Sequence, residues 1–370
     1  MAPQNKSNPL IYETEVQSDI SDIIDTKYLI KNESIGTDYS YKHEIVWGRV
    51  IPMLLLHVLA VWGLFILISG GTSYKTVLWT MFVILICIEG VTIGGHRYYT
   101  HRSFKATPLL RAILMLCHSV AGQRSLYTWC RDHRLHHRYS DTDADPHNSK
   151  RGFFFSQIGW ILCKKHPYIK AFGKRIDISD LESDWMVMFQ KKYYTYIYLI
   201  MGVLMPIGVP YFLMGESFKN SLLVCYSFRY VFEIHLAGLV NSIGHFYGTR
   251  PYDKKILPVE SWLLSVLTLG EGFHNYHHVY PWDYKTAESS MPFNVSAYVI
   301  RFWEKIGLAY DLKSASSESV SKRILQSGDG THYRLGNDEA RKAITAIGIL
   351  HPLNPTYNMT FKPHSTVLKG

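Results

Sequence analysis

The chain has 370 residues, 47% of them hydrophobic and 14% aromatic, and carries a formal net charge of +9. A basic balance of this kind suits an anionic membrane surface, phosphorylated small molecules or nucleic acid. Five cysteines without a CxxC pair argue against a disulfide framework, and the N-terminus lacks the basic-then-apolar order of a cleaved secretory signal.

Residues 1–45 are rich in Asn, Ser, Asp and Thr and offer little to bury, so they are expected to form a disordered tail. The apolar residues that follow are bunched. Residues 50–69, 77–93, 193–214 and 221–240 each approach the roughly 20 residues that a bilayer-crossing helix needs. The first holds His57, the second Glu89, and the fourth Arg229, Glu233 and His235. Two shorter runs, 109–122 and 262–270, are predicted to be interfacial or buried helices. Only residues 70–76 join the first two spans, and only 215–220 the last two, so each pair is a tight hairpin. Residues 94–192 join the hairpins and hold 17 Lys or Arg against 8 Asp or Glu. That segment and both termini must share one face, and basic segments beside span ends favour the cytosol. The expected fold is an all-α integral membrane protein: four transmembrane helices under a cytosolic helical cap. Residues 46–312 would form the membrane domain and 313–370 a cytosolic C-terminal tail.

Histidines cluster in the cap. His96 and His101 follow the second span. His133, His136 and His137 lie in "RDHRLHH", His245 follows the fourth span with Asn241 one turn before it, and His274, His277 and His278 lie in "HNYHH". None falls inside the predicted spans. On a helix, positions i, i+3 and i+4 share a face, so each HxxHH run points three imidazoles one way. Nine imidazoles exceed what one tetrahedral zinc takes and match two adjacent metals of four or five ligands each. Asp132, Asp145 and Glu271 lie near these runs and are candidates to orient imidazoles from behind. A metal transporter would place its ligands within the spans near the midplane, which this pattern does not.

The segments "GGHRYYTHRSFKA", "WCRDHRLHHRYSDTDADPHN", "NSIGHFYGTRPYD" and "GEGFHNYHHVYPWDYKTAE" resemble the membrane acyl-CoA desaturases of the stearoyl-CoA desaturase type, the last in insect-like wording. The resemblance covers about residues 47–311. It implies an endoplasmic-reticulum protein with a cytosolic site for two iron ions. The ligands would be His96, His101, His133, His136, His137, His245, His274, His277 and His278, with Asn241 reaching one metal through water. It also implies that Gln123 and Trp129 lie near the thioester, that Arg131 and Asp132 contact CoA, and that Lys164 and Lys165 meet its phosphates. The chain has no HPGG heme-binding sequence, so electrons would come from a separate cytochrome b5 and its NADH-dependent reductase. The lipid bilayer is the other partner, and no nucleic acid is expected.

No side chain is basic enough to take a proton from an unactivated alkyl carbon, so the chemistry requires a redox metal and dioxygen. Spacing alone would also allow zinc. A related reaction at the same site, hydroxylation of a fatty acyl chain or other lipid, differs only in the fate of the alkyl radical and is the alternative reading. Departures from the family pattern fall at Gly48 and Arg49, at Arg124, and at Glu89, Glu233, His235, Ala237 and Gly238. Glycine at 238, where tryptophan is usual, would remove a wall of the substrate tunnel. Glu233 is placed to pair with Arg229 at i+4, and Glu89, two turns before His96 on about the same face, is a functional candidate, the alternative being an internal pair with His235 or Arg229. The expectation is a tunnel of altered shape and polarity, with unusual chain length, bond position or stereochemistry.

Overall fold

In the computed structural model, residues 35–288 and 293–340 are described. Most of the expected N-terminal tail, residues 1–34, lies outside them. Residues 35–45, grouped with that tail on composition, run along the cap. Asp38 N donates to Asp143 Oδ2 at 2.8 Å and Lys164 N to Glu44 O at 2.8 Å.

Helix α1 (Trp47–Ile68) carries Pro52 in its second turn, where the ring removes the N–H that Gly48 O would otherwise accept. Its apolar residues, among them Ile51, Leu55, Val58 and Phe65, are exposed, as lipid-facing side chains should be. Helix α2 (Tyr74–Thr100) begins at Ser73, whose hydroxyl accepts from Thr76 N. Its last stretch, Gly90–Thr100, widens into π-helical turns that bring His96 inward. Glycine is required here: a Cβ at Gly90 would sit 2.4 Å from the Cys117 backbone. That contact lets α3 (Pro108–Ala121), the first of the two short apolar runs, lie directly on α2. Helix α3 starts with Thr107 as cap and Pro108 at the first turn and ends at Gly122 with φ +70°. Helix α4 (Leu126–Tyr139), capped by Ser125, carries the first HxxHH run. Arg134 fixes it across the end of α2, donating to Thr100 O, Tyr99 O and both oxygens of Asp180.

Helices α5 (Trp185–Leu213) and α6 (Phe218–Phe246) form the second hairpin. Glu216, in their turn, accepts from Ser73 N and Thr76 Oγ1, and so ties the two hairpins on the face away from the cap. Helix α1 packs on α6 so closely that a Cβ at Gly63 would lie 2.1 Å from Leu223 O. Short helices α7 (Trp262–Leu267), α8 (His274–Val279) and α9 (Val295–Lys305) close the cap, and a two-residue antiparallel pairing, β1 (Lys105–Ala106) with β2 (Ala309–Tyr310), brings the chain back to the end of α2. Helix α10 (Ser317–Ser327), in the segment grouped as the C-terminal tail, packs Val320 and Ile324 on Tyr252, Tyr276 and Tyr280. The core beneath the cap joins Ile93, Leu114, Leu126, Cys130, Val187 and Ile300.

Four helices are long and apolar enough to span a membrane, as the sequence predicted. Three run further than expected. Helices α2, α5 and α6, 27, 29 and 29 residues long, reach about 40 Å at 1.5 Å per residue, against a hydrocarbon core of about 30 Å. Helix α5 starts before residue 193, whereas α2 and α6 continue past residues 93 and 240 and carry His96, Asn241 and His245 on their ends.

Candidate metal centre

Four helices converge at the top of the bundle, two of them by their ends. Helix α2 presents His96, with His101 just after it; α4 presents His133, His136 and His137; α6 presents His245; α8 presents His274, His277 and His278. Among the described residues the nine imidazoles separate into two groups, five and four. His96, His101, His133, His137 and His277 form the first; His136, His245, His274 and His278 form the second. Ligand nitrogens within each group lie within 4.8 Å of one another. In the first, Nε2 of His277 is 2.9 Å from Nε2 of both His96 and His137, and His133 Nε2 is 3.1 Å from His137 Nε2. In the second, His278 Nε2 is 3.1 Å from His274 Nε2 and 3.3 Å from His136 Nε2. Each HxxHH run is split between groups, because adjacent residues on a helix point about 100° apart.

The opposite ring edges are held by carboxylates. Glu271 Oε2 lies 3.0 Å from His96 Nδ1, Asp145 Oδ2 lies 2.8 Å from His136 Nδ1, and Asp141 Oδ1 lies 3.2 Å from His245 Nδ1. Such partners fix the tautomer and turn Nε2 toward a metal. Glu271 also accepts from Arg97 Nε and Nη2, a guanidinium fully buried beneath the site. Burial alone would raise the Glu271 carboxyl, but His96 and Arg97 hold it down at about 2. Asp145 is likewise desolvated and held low by His136 and His147, and Asp141 by His245 and Ser149.

Burial, together with crowding by other rings, pushes His101, His133, His137, His274, His277 and His278 well below the usual imidazole range. Neutral rings are what a metal binds. Buried Nε2 atoms of His101 and His245 have no hydrogen-bond partner. Nitrogen lone pairs packed edge to edge and orphaned would be costly in a metal-free protein. The donor set therefore fits two metal ions, with all-nitrogen ligation suited to iron, copper or zinc.

Asn241, one turn before His245 on α6, lines a cavity of about 260 Å³ that opens beside both groups and touches His96, His133 and His274. Gln123 and Trp129 also line it, and the indole Nε1 donates to Gln123 Oε1 at 3.2 Å. At the cavity's polar mouth Asp132 gathers three cations. Arg131 Nη2 is 2.8 Å from Oδ1, while Arg124 Nη1 at 3.1 Å and Lys165 Nζ at 2.5 Å share Oδ2. Asp132 thus serves the cations and no histidine, whereas Asp145 and Glu271 take the orienting role. Lys164 turns away from Lys165 to an exposed pair with Glu44 at 2.8 Å, so the structure does not bring the two lysines together on one partner.

Sequence reasoning missed Asp141, Arg97 and His147, the last packed 3.4 Å from Asp145. The signal was the acidic run "DTDADP" directly after the first HxxHH. Two expectations are corrected. Glu89 pairs with neither His235 nor Arg229; it accepts from Ser296 Oγ at 2.8 Å and joins α2 to α9. His235 instead meets His57, with Nε2 atoms 2.9 Å apart. Nor does Gly238 open room, since a Cβ there would lie 2.3 Å from Gln157 O; the backbone of 157 fills the space a larger side chain would take. The Arg229–Glu233 pair forms as expected, at 2.8 Å.

The sequence profile for fatty acid desaturases matches residues 74–295. The chain is 46% identical over 293 residues, 79% of it and 81% of the relative, to an acyl-CoA Delta-9 desaturase of Acheta domesticus. It is 43% identical over 329 residues, 89% of each chain, to stearoyl-CoA desaturase of Homo sapiens. It is 44% identical over 296 residues, 79% of it and 82% of the relative, to an acyl-CoA Delta12-desaturase of Acheta domesticus. Relatives of nearly equal similarity thus carry different bond positions in their names.

Proposed function

Because the chain belongs to the fatty acid desaturase family, we propose that it introduces a double bond into a fatty acyl-CoA chain, using dioxygen and two electrons supplied from cytochrome b5 and its NADH-dependent reductase. The observation that carries this reading is the five-plus-four arrangement of imidazoles beside a largely apolar-lined cavity. His96, His101, His133, His137 and His277 would hold one iron; His136, His245, His274 and His278 would hold the other, with Asn241 completing a fifth position. When bound, the irons supply the oxidising power that removes two hydrogens from adjacent methylenes. The protein's own residues do the rest. Arg124, Arg131 and Lys165 around Asp132 offer positive charge to the CoA phosphates. Gln123 and Trp129 grip the region of the thioester. The walls from α2 and α6 hold the alkyl chain straight past His96 and His133 and keep water away. Lys164 adds exposed charge at the rim. Residues 46–312 form the catalytic domain, with both termini and the cap on the cytosolic face of the endoplasmic reticulum, in line with the 17-to-8 excess of cations in residues 94–192.

Expression in desaturase-deficient yeast tests this. Wild-type protein should restore growth and yield acyl products lighter by two hydrogens, and His136→Ala or His277→Ala should not. Products that gain oxygen would point to hydroxylation instead, and iron-free active protein would refute the metal assignment.

A further inference from the structure

The inner end of the cavity is polar. Glu233, on α6, lines it together with Cys87 and Tyr230. It lies eight positions before Asn241, about 12 Å deeper along the helix. Its neighbour Arg229 is fully buried and fully engaged: Nε donates to Cys225 O at 3.0 Å, Nη2 to Gly202 O at 2.8 Å, and Nη1 to Glu233 Oε2 at 2.8 Å. Arg229 therefore pins α6 to α5 and uses one carboxylate oxygen to do so. The other, Glu233 Oε1, is buried without an N–H or O–H donor in a residue only 4% exposed, and the carboxylate's other polar neighbour is the weakly donating thiol of Cys87. An alkyl terminus placed against that oxygen would leave it unsatisfied, whereas a hydroxyl would donate to it.

From this, and resting on the desaturase reading above, we infer that the cavity is built for an acyl chain bearing a hydrogen-bond donor, a hydroxyl, near its distal end, and that Glu233 Oε1 selects it. The ordinary saturated chain then becomes the poorer substrate. Discrimination by one buried acceptor that has no other N–H or O–H donor should reach about tenfold in kcat/KM.

The test uses purified holoenzyme with its electron donors and pairs of acyl-CoA thioesters of equal length, with and without a terminal hydroxyl, across a series of lengths. The expected result is a preference for the hydroxylated chain that peaks at one length. Binding of the same pairs to wild-type protein, followed by thermal shift, should show the same order. Glu233→Leu should abolish the preference. Glu233→Gln, which keeps an oxygen for Arg229 and so guards against a folding failure, should reduce it. Each ratio comes from one sample, so it does not depend on how much protein folds. A preference for plain chains at every length, or an unchanged ratio in both variants, would overturn the inference while leaving desaturation intact. Failure to desaturate either chain would overturn the function itself, and this selectivity with it.

Discussion

Replacing Asp145 with asparagine removes one negative charge from behind His136 and keeps the side chain's shape. In the native site Oδ2 accepts from Asp141 N at 2.9 Å and faces His136 Nδ1 at 2.8 Å, while Oδ1 accepts from His147 N at 3.1 Å. With its amide oxygen at the Oδ2 position, asparagine retains the first two partners and turns an NH2 toward the His147 N–H, at a cost of about 1–3 kcal/mol in stability. Loss of such a carboxylate partner typically weakens metal binding 10–100-fold, or about 1.4–2.7 kcal/mol. Of the five- and four-imidazole groups His136 belongs only to the second, so the loss should be one-sided. Titrating iron-loaded protein with a chelator and measuring bound iron should show the variant releasing one ion at concentrations where the wild type keeps both. Glu271→Gln, behind His96, should weaken the five-imidazole site instead. Simultaneous release of both ions from Asp145→Asn, or a titration identical to wild type, would refute the division into two independently supported sites.

Lys165→Ala should raise the KM for acyl-CoA severalfold with little change in kcat, the effect shrinking as salt is added; Lys164→Ala, whose ion pair with Glu44 is exposed, should do less. Gly63→Ala forces a Cβ to within 2.1 Å of Leu223 O and should destabilise the protein by about 1–3 kcal/mol in a detergent melt, whereas Gly48→Ala meets nothing within 4 Å and should not. Burial pushes the Glu260 carboxyl up from 4.5 to about 8. Its contribution to stability is therefore full below pH 4.5 and is lost as the pH rises through about 8. The melting temperature of Glu260→Gln should accordingly fall less than that of the wild type over that window.

Length and hydropathy made the four spans legible, because a bilayer imposes a minimum apolar run that nothing else in the chain mimics. The HxxHH spacing placed six of the nine imidazoles, and all nine fall within the two clusters. What the sequence hid follows from the same physics. The predicted spans stopped at residues 93 and 240 because Gly94, Gly95 and Asn241 interrupt the apolar pattern, yet packing against α3 and the cap keeps the chain helical beyond them. Asp141 and Arg97 were invisible because their partners lie 104 and 174 positions away in the chain. Gly238 misled because deletion of a side chain was read as space, while the backbone of Gln157 occupies it.

The continuity of α2 and α6 from the cavity floor to the imidazoles makes each of them a ruler. Residues along such a helix follow one another in steps of about 1.5 Å, and one inserted residue would turn His96 or His245 by about 100° out of its cluster. Lengthening or shortening the ruler would therefore dismantle the centre before it changed the product. Selectivity in such a scaffold can come from the exchange of side chains along rods of fixed length, and the Arg229-paired carboxylate of Glu233, two turns below Asn241, is the kind of mark that exchange leaves.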